Sequence, residues 1–87
     1  MNENTMTINH FEDEIIALFA EHLNVEPDEI SLESDLEKDL GADSLDLVEL
    51  IMGIEKKFGV AVSDADAATI KTVGDAVRFV YAELSKE

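Results

Sequence analysis

The chain has 87 residues, 21 acidic and 6 basic, for a net charge of −15, with 46% apolar residues and no cysteine. This length allows one small domain that buries about 60–65% of its unfolded surface, and the apolar content is too high for a disordered chain. The charge disfavours nucleic acid and anionic lipid and favours basic protein patches, while the missing cysteines exclude disulfides and any protein thiol chemistry.

No apolar run is long enough to span a bilayer, and no basic segment leads into an apolar one as in a secretory signal, so a cytoplasmic location is the expectation; a monomer is expected as well. The charge is uneven along the chain. No Lys or Arg precedes Lys38, whereas Glu26 to Glu55 carries eleven carboxylates.

Residues 1–8 are polar without clear periodicity and are expected to form a flexible segment, leaving 9–87 as the folded domain. From Asn9 the pattern is helical. Phe11, Ile15, Leu18, Phe19 and Leu23 recur at spacings of three and four. Asn9 with Glu12 fits a capping box, and Glu12, Asp13 and Glu14 suit the positive end of a helix. Asn24 can take the left-handed conformation that ends a helix, and Pro27 enforces a break. Val25 to Ala42 then reads as a long connection, pinned to a core by Ile30, Leu32, Leu36 and Leu40. A connection of this length is functional or holds a short helical turn.

A second helix is expected over Ser44–Phe58. Leu47, Leu50, Ile51, Ile54 and Phe58 form its buried stripe, and Leu45, Val48 and Met52 a second stripe, partly exposed among Asp46, Glu49 and Glu55. Gly59 is a good stop. Ser63 caps a short third helix with Asp66 three residues on, and Ile70 packs inward. Thr72 with Asp75 starts a fourth helix whose inner face is Val73, Val77, Val80, Tyr81 and Leu84. Strand alternation does not extend beyond "VAV" at 60–62. The fold class is therefore all-α, a small four-helix bundle of three main helices and one short one.

In "DLGADSLDLVEL", residues 39–50, Ser44 stands between Asp43 and Asp46 where the second helix begins. One reading is that Ser44 belongs to an ordinary cap. Asp43, however, already serves as the cap with Asp46 at the third helical position, which leaves the Ser44 hydroxyl free. The other reading follows from two facts. Helix starts offer free N–H groups and positive partial charge to a phosphate, and the Leu45, Val48, Met52 stripe is costly to leave wet, as a docking surface would be.

These residues resemble the signature of acyl carrier proteins. "DLGADSLD" followed by "EL" on a helix, "FGV" after it and "TIKTVGDAV" near the end all match that family's register, and the likeness runs from about Asn9 to about Leu84. The resemblance implies that Ser44 bears 4′-phosphopantetheine, derived from coenzyme A, whose thiol carries acyl intermediates as thioesters. It implies a non-catalytic carrier, most similar to the discrete fatty acid type. Polyketide, aminoacyl and lipid-precursor carriers are the alternatives. It places Asp43, Leu45, Asp46, Val48, Glu49, Met52 and Glu55 on the face that meets partner enzymes, and Ile51, Ile54, Phe58, Val62, Ala67 and Ile70 around an acyl cavity. The implied partners are a phosphopantetheinyl transferase and acyl-processing enzymes with basic docking patches, namely ketoacyl synthases, reductases, dehydratases and acyltransferases.

The sequence departs from the family pattern in four places. "IEKKFG" brings Lys56 and Lys57 to the end of the acidic helix, Gly53 lies inside that helix, Ser63 replaces the usual proline, and "SDADAATI" is richer in alanine. Rival functions fit worse. In a calcium loop beginning at Asp35, Leu40 occupies the glycine position and Asp46 the position of the bidentate Glu; one beginning at Asp64 fails at Ala68. His10 and His22 are distant in sequence from Ser44 and read as surface residues of the first helix, which disfavours a hydrolase. A plain helical adaptor would use the exposed stripe and leave the serine unmodified.

Overall fold

The computed structural model of the chain describes residues 8–85, and four α-helices order them: α1 Ile8–Leu23, α2 Ser44–Phe58, α3 Asp64–Thr69 and α4 Val73–Ser85, with one 3-10 turn at Pro27–Glu29. Among the described residues there is no strand, only one isolated antiparallel bridge between Asp35 and Thr72. Apart from Ile8, the segment expected to be flexible lies outside the described residues. Helix α1 begins at Ile8, so Asn9 is within it and not the cap that its pairing with Glu12 suggests.

Helix α1 is the centre of the bundle and packs on both α4 and α2. Its Phe11, Ile15 and Phe19 meet Leu50 and Ile54 of α2 and Val73, Val77 and Val80 of α4 in one core. Each such fully buried side chain contributes roughly 1.5–3 kcal/mol by leaving water. Asn24 at φ 62° and Gly59 at φ 69° end α1 and α2 in the left-handed conformation. Gly53 lets the two helices approach, since a Cβ there would sit 3.3 Å from a methyl of Leu18. Lys57 Nζ lies 2.9 Å from Glu14 Oε1 and ties the same two helices at the surface.

Two residues expected inside α4 are not. Tyr81 is 39% exposed and Leu84 43%. Tyr81 packs its ring against Phe11 in a T-shaped pair, with centroids 5.7 Å apart, and remains partly exposed. Leu84 lies in the last turn, past Val80, the final buried residue of the helix.

The long connection is ordered by its own hydrogen bonds and by its grip on α4. The Val73 N–H donates to the Ser34 carbonyl at 3.1 Å, Gly74 N–H to the Leu32 carbonyl at 2.9 Å, and Leu36 N–H to the Lys71 carbonyl at 2.9 Å. The connection therefore satisfies α4 N–H groups that have no partner within their own helix. Ser34, the buried polar residue of this stretch, accepts the Ser31 N–H and meets the Ser31 hydroxyl. Gly74 suits this close contact. A Cβ would come 3.0 Å from the Leu32 oxygen, a backbone atom that cannot swing aside. Gly74→Ala should therefore destabilise the fold by about 1–3 kcal/mol despite the better helix propensity of alanine. The melting temperature should fall by at least about 4 °C. Gly53→Ala meets only the flexible end of Leu18 and should cost less; equal losses at the two glycines would contradict this packing.

Thr72 and Asp75 form the capping box read from the sequence. Asp75 N–H donates to Thr72 Oγ1, and Asp75 Oδ2 accepts from Thr72 N–H. Burial opposes ionisation of Asp75, but the N–H groups of Lys71 and Thr72 and the Arg78 guanidinium outweigh it and hold the carboxyl below its ordinary range. A carboxyl with a lowered folded value adds stability above its unfolded value of 3.8, and that stability is lost as pH falls through the folded value. The penalty of Asp75→Asn should therefore be largest near neutrality and shrink below about pH 4. Thermal melts of both proteins across the acid range test this, and a penalty constant with pH would refute it.

Candidate functional site

The site is built at the start of α2. Asp35 gathers the preceding chain. Its Oδ1 accepts from the N–H groups of Glu37 and Lys38, and its own N–H donates to Asp39 Oδ2 at 2.7 Å. The Lys38 N–H is the leading cause that holds the Asp35 carboxyl below its ordinary range. Gly41 follows at φ 76°, a conformation that side chains resist, and turns the chain so that Ala42 is buried and Asp43 faces the helix. Asp43 caps α2 in a full capping box: its Oδ1 accepts the Asp46 N–H at 2.9 Å, and Asp46 Oδ2 accepts the Asp43 N–H at 3.1 Å.

Ser44 is thus the first residue of α2, exposed and relieved of the capping role. Its hydroxyl makes no hydrogen bond among the described residues, and the N–H groups of Ser44 and Leu45 find no acceptor there. The other serines differ. Ser31 and Ser34 bond each other, Ser63 Oγ accepts the Asp66 N–H to cap α3, and Ser85 ends α4, where the helix dipole is negative. A phosphate ester fits at Ser44: it would meet two free N–H groups and the positive end of a helix fifteen residues long.

Beside Ser44, α2 exposes an apolar stripe. Leu45 is 65% exposed, Val48 54% and Met52 51%, which is unusual for three large apolar side chains in line on one helix. Asp43 and Glu49 are exposed and Asp46 half-buried alongside them. Glu55 is turned differently. Its Oε2 accepts the Val62 N–H at 2.9 Å and fastens the segment after α2 back onto the helix. Of the two lysines that depart from the family pattern, Lys57 is engaged with Glu14 on α1.

Behind the stripe lies a cavity of about 400 Å³, within the range of small-molecule sites. Ile51, Val62, Ala67 and Ile70 of the expected lining are in its walls. Ile54 and Phe58 are not. Ile54 is fully buried in the central core, and Phe58 stacks edge-on against Phe11 at 5.9 Å. Phe19, Leu36, Leu47, Leu50 and Ala68 complete the apolar walls, with Val48, Met52 and Glu55 at the α2 side and Asp64 at the α3 side. Helix α3 supplies one wall with two small residues, Ala67 and Ala68, and packs only sparsely on the other helices.

The histidines behave unequally. His10 lies beside Glu14 on α1. His22, read from the sequence as a surface residue, reaches across to α2, with Nε2 3.0 Å from Glu49 Oε1 and 3.8 Å from Asp46 Oδ1. Neither histidine hydrogen-bonds Ser44.

The acid-rich segment sets a further expectation. Eleven carboxylates between Glu26 and Glu55 repel one another with few cations among them. Raising ionic strength should screen that repulsion and stabilise the fold. Relief of even about 1 kcal/mol would raise the melting temperature by roughly 4–8 °C. A melting temperature unchanged between low and high salt would contradict it.

A profile of the phosphopantetheine attachment-site family matches residues 13–80. The chain is 53% identical over 70 residues to an acyl carrier protein of Helicobacter pylori, covering 80% of this chain and 88% of that one. It is 50% identical over 68 residues to one of Wolinella succinogenes, with 78% and 90% covered. With one of Sulfurovum sp. the identity is 48% over 68 residues, with 78% and 91% covered. No helix among the described residues is long and apolar enough to cross a membrane. With an attachment-site domain over most of its length and about half of its aligned residues shared with these relatives, the chain belongs to the acyl carrier protein family, whose members are carriers and not catalysts.

Proposed function

We propose that Ser44 is the sole attachment point of 4′-phosphopantetheine and that the protein carries acyl intermediates of fatty acid biosynthesis in the cytoplasm. The observation that carries this reading is the uncommitted Ser44 hydroxyl, exposed on the first residue of α2 because Asp43 has taken over the cap. When bound, the arm supplies the thiol that a cysteine-free chain lacks. Attachment joins Ser44 Oγ to the pantetheine phosphate of coenzyme A and breaks the pyrophosphate bond, releasing adenosine 3′,5′-bisphosphate; no side chain among the described residues accepts the Ser44 proton, which leaves that role to the modifying transferase. The free N–H groups of Ser44 and Leu45 would face the phosphate of the attached arm. Ile51, Val62, Ala67 and Ile70 offer an apolar refuge for the cargo, and α3 is the wall best able to yield, being sparsely packed.

A carrier domain of this family works with a phosphopantetheinyl transferase and with acyl-processing enzymes. The finer proposal is that ketoacyl synthases, reductases, dehydratases and acyltransferases dock basic patches onto Asp43, Asp46, Glu49 and Glu55 while their apolar pockets receive Leu45, Val48 and Met52. Glu55 would serve there chiefly through its position at the cavity mouth, since one of its oxygens is occupied by Val62.

Intact-mass measurement on protein taken from its own host, with the acyl group retained, tests the cargo. Saturated or 3-hydroxy fatty acyl chains on the arm are the expected result. An aminoacyl or polyketide mass would instead assign a specialised carrier, and absence of the arm would remove the carrier reading.

A further inference from the structure

His22, Asp46 and Glu49 bring one nitrogen and two oxygen donors together from two helices, with the ligand atoms all within 4.8 Å of one another. Asp46 and Glu49 stand three residues apart on one face of α2, and His22 faces them from the last turn of α1. We propose that these three residues form a binding site for a divalent cation of the zinc class, clasping the end of α1 to the start of α2.

Three features point to such a cation. The His22 Nε2 distances of 3.0 Å to Glu49 and 3.8 Å to Asp46 bracket the separation of about 3.3 Å that tetrahedral ligands adopt around zinc. Small side-chain rotations on an open surface suffice to equalise them. Asp46 is also oriented by its cap. Its Oδ2 is held by the Asp43 N–H, which leaves Oδ1 turned toward His22, much as an outer partner orients a metal-ligating carboxylate. Finally, the donor set selects among metals. An imidazole with two carboxylates suits zinc or another late first-row ion, whereas magnesium and calcium prefer an all-oxygen shell. Three protein ligands leave a coordination position for water. The bound ion would neutralise Asp46 and Glu49 on the face proposed to meet basic partners, but the site does not depend on Ser44 or its modification.

The test is calorimetric titration of the full chain, without the arm, with zinc chloride and separately with magnesium chloride. Wild type should bind one zinc ion, and His22→Gln should weaken that binding at least about tenfold, a ligand being worth no less than the outer-shell partners whose loss costs 10–100-fold. Glu49→Gln should also weaken it, and His10→Gln should not. Magnesium binding should be the same in wild type and His22→Gln, because the crowded carboxylates and not the imidazole would hold it. Nitrogen NMR of the imidazoles gives a readout independent of affinity: zinc should shift the His22 ring resonances and leave those of His10 in place. Zinc binding that survives His22→Gln unchanged, or zinc that moves both histidines alike, would overturn the site.

Discussion

Ser44→Ala is expected to abolish attachment of the arm while leaving the fold intact. Incubated with coenzyme A and a phosphopantetheinyl transferase, the wild-type chain should gain the mass of one arm and the variant none. The effect should be all-or-none, because Ser31, Ser34 and Ser63 commit their hydroxyls to the protein's own structure and Ser85 sits at a negative helix end. Stability should hardly change. The Ser44 side chain caps nothing, and alanine is a better helix former in the first turn. Asp43→Ala makes the complementary case. It removes the side chain that accepts the Asp46 N–H and should cost about 1 kcal/mol of stability, yet it leaves the hydroxyl in place. Modification of the Ser44→Ala chain would refute the assignment.

The second large effect concerns docking. Charges at a rim mainly set association rate, and buried apolar anchors set dissociation rate. Glu49→Lys should slow association with a basic transferase or synthase by about tenfold at low salt, the low end of electrostatic steering. The difference should shrink at physiological ionic strength, where exposed charges are screened beyond about 8 Å. Val48→Ala and Met52→Ala should leave association nearly unchanged and speed dissociation, each by roughly fivefold or more if the stripe fills partner pockets. Lys56→Glu extends the acidic face and should hasten association. Lys56 is a cleaner probe than Lys57, whose reversal would also break the link to Glu14. Stopped-flow measurement of each variant separates the two rates. If none of them changes, α2 is not the recognition surface.

Much of the fold was legible because its signals are local. Asp43 with Asp46, Ser63 with Asp66 and Thr72 with Asp75 each close a cap within three residues, so residue type and spacing suffice to read them. The exposed stripe of α2 followed from helical period alone. The features that spacing does not reveal are held by contacts between separate segments. Nothing in the spacing ties Gly74 to the Leu32 carbonyl, Glu55 to the Val62 N–H, or His22 to Glu49. Tyr81 and Leu84 lie on the periodic inner face of α4, but periodicity gives the side of a helix and not how far the core runs along it. Ile54 and Phe58 show the same limit in the cavity. Helical period places their stripe inward, yet two inward directions exist, one toward α1 and one toward the cavity, and they take the first.

The most direct measurement is peptide mapping of the modified protein. After digestion, the phosphopantetheine mass should fall on the peptide containing Ser44, and fragmentation should place it on that residue alone. An arm on any other serine, or a protein recovered from its host with no arm at all, would contradict the assignment of Ser44 as the carrier residue.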